Sequence, residues 1–174
     1  MLPLWMVLPL ILSGTAVPPA PIDTPLDPAV RVGLKLGAQL SPGVNFAGGF
    51  DLELNRLSIA PGWTTRLDAD ILLENTHDGL LSELNNTAAL TVNQIYSRRM
   101  SSGRRVYAGL GIGYYNTSEK TGDTFLGATY GYRSRVGGKE FLGAEITSTT
   151  SIEATVHFIQ GTQPLFALQA RLKL

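Results

Sequence analysis

The segment RVGLKLGAQL sets Val32, Leu34, Leu36, Ala38 and Leu40 against Arg31, Gly33, Lys35, Gly37 and Gln39. Successive side chains of an extended chain point to opposite sides, so a period of two specifies a strand with one apolar face. The pattern returns in FAGGFDLEL, where Phe46, Phe50, Leu52 and Leu54 oppose Gly49, Asp51 and Glu53. It returns again in TRLDADILLE, with Leu67, Ala69, Ile71 and Leu73 opposite Arg66, Asp68, Asp70 and Glu74. In YAGLGIGYY the glycines Gly109, Gly111 and Gly113 share the side of Tyr107 and Tyr115, against Ala108, Leu110, Ile112 and Tyr114. A dinucleotide fingerprint would need a third glycine where Tyr114 stands and a helical period downstream, and neither is present. The run is a strand.

Further strand-like segments cover 88–98, 124–134, 139–147, 152–159 and 166–174, separated by MSSG at 100–103, VGGK at 136–139 and GTQP at 161–164. Pro61 and Gly62 break an alternation that would otherwise run from Leu57 to Leu73, and Gln94 interrupts the apolar side of Leu90, Val92 and Tyr96. The tally is about nine, but single-chain bacterial barrels have an even number of strands. With strands of about ten residues plus turns, eight fit comfortably and ten only with minimal loops. The expected fold is all-β, an antiparallel up-and-down transmembrane β-barrel of eight strands, with ten as the alternative.

The polar side decides what such a barrel faces. It mixes small glycines with charges of both signs: Arg31, Lys35, Arg66, Arg133, Arg171 and Lys173 against Asp51, Glu53, Asp68, Asp70, Glu145 and Glu153. Small residues beside balanced charges suit a narrow interior, which in an eight-stranded barrel holds only side chains. Buried there, the charges must pair, because removing an ion from water costs several kcal/mol. Charged residues are 16% of the chain, below the roughly 25% of soluble domains. No apolar run approaches the ~20 residues of a spanning helix. The rival is a soluble, secreted calycin-like barrel with its apolar side turned inward onto a small ligand.

The N-terminus reads as a signal peptide, 1–16, with an apolar region from Leu2 to Leu12 and small residues at Gly14 and Ala16. A Pro-rich leader, 17–29, precedes a barrel over 30–174. Zero net charge advertises no nucleic-acid partner, and with no cysteine there is no disulfide or thiol chemistry. If the first strand starts at the periplasmic side, Tyr96, Tyr130 and Tyr132 fall near one rim and Tyr114 near the other.

In its signal sequence, the dyad segments RVGLKLGAQL, VYAGLGIGYY and FALQARLKL and a strand at the end of the sequence, the chain resembles the small outer-membrane β-barrels, the family of the OmpA transmembrane domain and OmpX. The likeness covers roughly 30–174 and rests on architecture. The family usually closes on an aromatic residue, where this sequence has Leu174. The resemblance implies structural, adhesive or protective work in the bacterial outer membrane, with no cofactor, metal or turnover, as a monomer.

Some barrels of this size are enzymes, so the histidines need weighing. His157 shares a face with Glu153 and Thr155, but four residues along a strand span about 13 Å, too far for a catalytic hydrogen bond. An interior hydrogen-bonding role fits better, and His77 with Asp78 lacks enough companions to bind a metal. Segments 75–87 and 116–123 read as extracellular loops, the places for a surface partner, and the sequons NNT and NTS within them read as turn chemistry.

Overall fold

The computed structural model describes residues 29–40, 45–57, 59–60, 62–78, 81–124 and 127–174, with side chains described outside 74–85 and 119–130. The signal segment and the leader up to residue 28 lie outside the described residues. Eight strands follow: β1 Val30–Gln39, β2 Asn45–Leu54, β3 Trp63–Asp78, β4 Leu81–Arg99, β5 Arg105–Thr124, β6 Gly127–Glu145, β7 Thr150–Ile159 and β8 Leu165–Lys173. Each pairs antiparallel with the next, and β1 pairs with β8 to close a barrel. Closure pairs the backbone of each strand on both sides, so the barrel body has no open edge.

The period of two becomes inside and outside. Lys35, Asp51, Arg66, Asp68, Glu153 and Arg171 are buried in the lumen, while Leu36, Leu90, Ile112, Val136 and Leu168 are exposed on the outer wall. Ile112, 73% exposed, and Arg66, 0%, mark the extremes of this inversion. A calycin-type barrel has the opposite sidedness, so the apolar face is no ligand pocket.

Two expectations about strand limits are corrected. The VGGK segment is not a turn: β6 runs straight through it, merging the sixth and seventh expected strands and making the count even. Gly137 there is opposite Gly113, and the Tyr115 ring fills the space beside it, where a Cβ on Gly137 would come 2.7 Å from Tyr115 Cε2. By contrast, MSSG is a turn, with Gly103 at φ +79 and its N–H donating to the Met100 carbonyl at 2.9 Å. The break near Gly62, φ +81, precedes β3.

The expected loops 75–87 and 116–123 are also mostly ladder. Asn75 pairs with Leu84 and Asp78 with Leu81, while Asn116 through Asp123 belong to β5. β2 leaves β3 after Leu72, β4 and β5 part after Thr87 and Thr117, and β7 joins β6 only from Gly137, so two hairpins project past the barrel body. Both sequons lie in these strands rather than in turns, and the Asn86 backbone N–H donates to Ser118 Oγ at 2.7 Å.

Continuity of β6 also moves the tyrosines. Tyr130 and Tyr132 pair with Lys120 and Ser118, at the projecting-hairpin end with Tyr114, whereas Tyr96 pairs with Trp63 at the end carrying Val30 and Lys173. Tyr96 therefore does not share a rim with Tyr130 and Tyr132: a turn at VGGK would put those two near the end of a strand, whereas they lie near the beginning of the unbroken β6.

Candidate functional site in the barrel lumen

Asp68 and Asp70 stand two residues apart on the inner side of β3, and two lysines from other strands close on them. Lys35 of β1 lies 3.2 Å from Asp68 Oδ2 and also pairs with Asp70. Lys139 of β6 lies 2.6 Å from Asp70 Oδ2 and also bonds Asp68. All four side chains are buried, so the alternation of sign replaces the water that each ion gives up.

One step nearer the terminal end, Arg66 makes a two-pronged contact with Glu153, 2.8 Å from Nη1 to Oε2 and 2.9 Å from Nη2 to Oε1, and its Nε lies 2.7 Å from Asp68 Oδ1. The planar guanidinium matches the carboxylate geometry, and its face lies 4.0 Å from the centre of the Phe141 ring. The Tyr107 hydroxyl lies 3.0 Å from Ser151 Oγ and 3.3 Å from Glu153 Oε2. At the mouth, Arg171 meets Asp51 through Nε at 2.7 Å and Nη2 at 2.5 Å, and Glu53 at 3.2 Å. Arg105 bonds Glu53 at 2.9 Å and lies 3.2 Å from Glu145, which also takes Lys173.

Above the lysines the lumen becomes mostly apolar, with Gln39 buried opposite Ala167. Ala47, Leu72, Ala89, Tyr115, Ile159, Leu165 and Ala167 form a buried cluster toward the hairpin end. Buried side chains thus occupy the lumen from the ion pairs to this cluster, and beyond Arg105 and Glu145 the mouth opens as a cup.

His157 belongs to this filling. Its Nδ1 lies 3.2 Å from the Tyr115 hydroxyl oxygen, and that oxygen lies 3.0 Å from the Gly138 carbonyl. A phenol has one proton, which goes to the carbonyl, so the imidazole must donate from Nδ1. Glu153 is engaged elsewhere by Arg66.

No protein-family model matches the chain, and no curated protein sequence does. Solved structures do match. The N-terminal β-barrel domain of Pseudomonas aeruginosa OprF aligns with TM-score 0.55 at 12% identity, over 83% of this chain and 96% of that one. A major outer membrane protein from Thermus thermophilus gives 0.53 at 12%, over 84% and 100%. Neisserial surface protein A gives 0.52 at 11%, over 83% and 94%. The fold is that of the small outer-membrane β-barrels. Identity this low establishes architecture alone.

Within this small outer-membrane barrel fold, the expected charged residues are distributed unevenly. Lys35, Asp51, Glu53, Arg66, Asp68, Asp70, Glu153 and Arg171 come together in the buried set, and Glu145 joins it half-buried at the mouth. Arg31 is half-buried at the rim of the mouth. Arg133 is not in the lumen: it is exposed on the projecting part of β6, opposite Thr117. Lys139 and Arg105 were missed. Lys139 was hidden by the false turn, although its parity with Gly143 and Glu145 would have revealed it; Arg105 has the parity of Tyr107. Gln94, a polar residue on the outer face, donates to Thr65 Oγ1 at 2.9 Å, and that hydroxyl donates to the Leu57 carbonyl at 2.5 Å.

Proposed function

We propose that the chain is an integral protein of the bacterial outer membrane that acts as a monomer without catalysis, its lumen closed by side chains and its projecting hairpins available to a surface partner. The observation that supports this reading is the inverted sidedness: buried ion pairs within a closed barrel whose outer wall exposes Leu36, Leu90, Leu110, Ile112 and Val136. A contiguous apolar wall is costly in water and favourable in hydrocarbon. The filled lumen argues against a diffusive pore. For adhesive or protective work the support is the geometry of the β3–β4 and β5–β6 hairpins, which stand clear of the barrel body.

The test is carbonate extraction of the native envelope, followed by comparison of gel mobility before and after boiling. Retention in the pellet with a mobility shift on boiling is expected. Recovery as a folded, carbonate-soluble protein would overturn the membrane reading.

A further inference from the structure

The turn between β4 and β5 carries RRMSSGRR, with Arg98 and Arg99 entering it and Arg104 and Arg105 leaving. Arg99 and Arg105 are directly opposed in the ladder. Like charges facing across an antiparallel pair are unfavourable, and the fold does not require one here. Arg105 is held by Glu53 and Glu145, but Glu145 also serves Lys173. Arg99 and Arg104 are exposed. With Arg105 they line a cup of about 930 Å³ at the barrel mouth, where Arg31 and Lys173 add further positive charge and Glu145 is the single acidic side chain of the lining.

The surroundings say what kind of anion this is. Trp63 and Tyr96 pair on the outer wall just before the turn, with ring centroids 5.6 Å apart, and Arg98 follows Tyr96 by two residues on the same outward face. Met100, at the turn, and Leu57 and Ile59, in the neighbouring β2–β3 connection, are large apolar residues left exposed. Aromatic rings on the wall, followed toward the mouth by arginines interleaved with exposed apolar residues, are the composition of a membrane interface meeting headgroups. A soluble acidic protein would explain the arginines but not Met100, Leu57 and Ile59.

We infer that the RRMSSGRR turn binds the phosphate of anionic phospholipid headgroups, which compensates the exposed charges of Arg99 and Arg104 and anchors this rim at the bilayer surface. The inference rests on the outer-membrane reading above.

The experiment compares the full barrel with Arg99→Gln/Arg104→Gln and with Lys120→Gln/Arg133→Gln, an equal loss of charge at the opposite end. Each is reconstituted in vesicles of phosphatidylcholine alone or with roughly one-third phosphatidylglycerol, at low salt, where such attraction is least screened. The readout is the temperature at which the unboiled gel form is lost. The parent and the Lys120→Gln/Arg133→Gln control should gain several degrees from phosphatidylglycerol, and Arg99→Gln/Arg104→Gln should lose most of that gain. Inorganic phosphate added to phosphatidylcholine vesicles should not reproduce it. An equal gain in all three proteins, no gain in the parent, or full reproduction by inorganic phosphate would overturn the headgroup site. If the parent fails to insert in either vesicle, the membrane reading itself falls.

Discussion

Gly109 and Phe141 face each other directly across β5 and β6, and the phenyl ring lies over the glycine, in the space a side chain would need. A Cβ on Gly109 would come 2.6 Å from both Cε atoms of that ring and closer still to Cζ. Tyr107 and Gly143 repeat the arrangement one step away on the same pair of strands, with the ring now on β5. Gly109 and Gly143 are therefore receptacles for aromatic rings, and these rings, of Phe141 and Tyr107, pack in turn against Arg66 and Arg105.

Gly109→Val should destabilise the barrel by about 1–3 kcal/mol, because the ring beneath Arg66 has nowhere to move without disturbing the ion pairs. Gly138→Ala is the control: it is on the outer face of β6, its Cβ would meet only the Gly111 carbonyl at 3.7 Å, and its effect should be small. Urea unfolding of the reconstituted protein, read by gel mobility, distinguishes the two.

Removing one member of the Arg66–Glu153 pair should be worse than removing both. Arg66→Met leaves Glu153 buried without its two-pronged partner and should cost about 3–5 kcal/mol. Adding Glu153→Gln should recover part of that loss. A double-mutant cycle checks the coupling, and strict additivity of the two changes would contradict the described pairing.

On the outer wall Leu36 is 51% exposed between Gly48 of β2 and Ala170 of β8. Leu36→Arg should reduce stability in a bilayer by about 2–4 kcal/mol if that wall contacts the hydrocarbon midplane. The same equilibrium unfolding assay measures it; an unchanged midpoint in lipid would mean that this face does not contact hydrocarbon.

His157→Gln should leave the lipid composition of the cell envelope unchanged, since the imidazole is occupied with the Tyr115 hydroxyl. Mass spectrometry of extracted lipids from cells carrying either form reads this out. A lipid species that disappears with the substitution would replace the non-catalytic reading with that of a membrane-embedded hydrolase or acyltransferase.

Sidedness was legible because a strand has only two faces. Once Val32, Leu34 and Leu36 occupy one, Lys35 must occupy the other, and the same logic places Asp51, Asp68 and Arg66 together inside. Strand length was not. Gly137 and Gly138 have the local composition of a turn, and only Tyr115, brought alongside by the β5–β6 register, shows why β6 needs a small residue there. The segments beyond Leu72, Thr87 and Thr117 look polar enough to be loops, yet cross-strand hydrogen bonding continues through them.

Alternation is a property of neighbouring residues, so a set of two-faced strands with balanced charge on one side can be read from the chain alone. Which charges meet depends on the closed barrel. Arg66 and Glu153 are 87 residues apart, and Arg171 and Asp51 are 120 apart. Their heights in the lumen follow from the stagger of each ladder and the closure of β8 onto β1. Those are sums over the whole barrel, and no local window of sequence contains them.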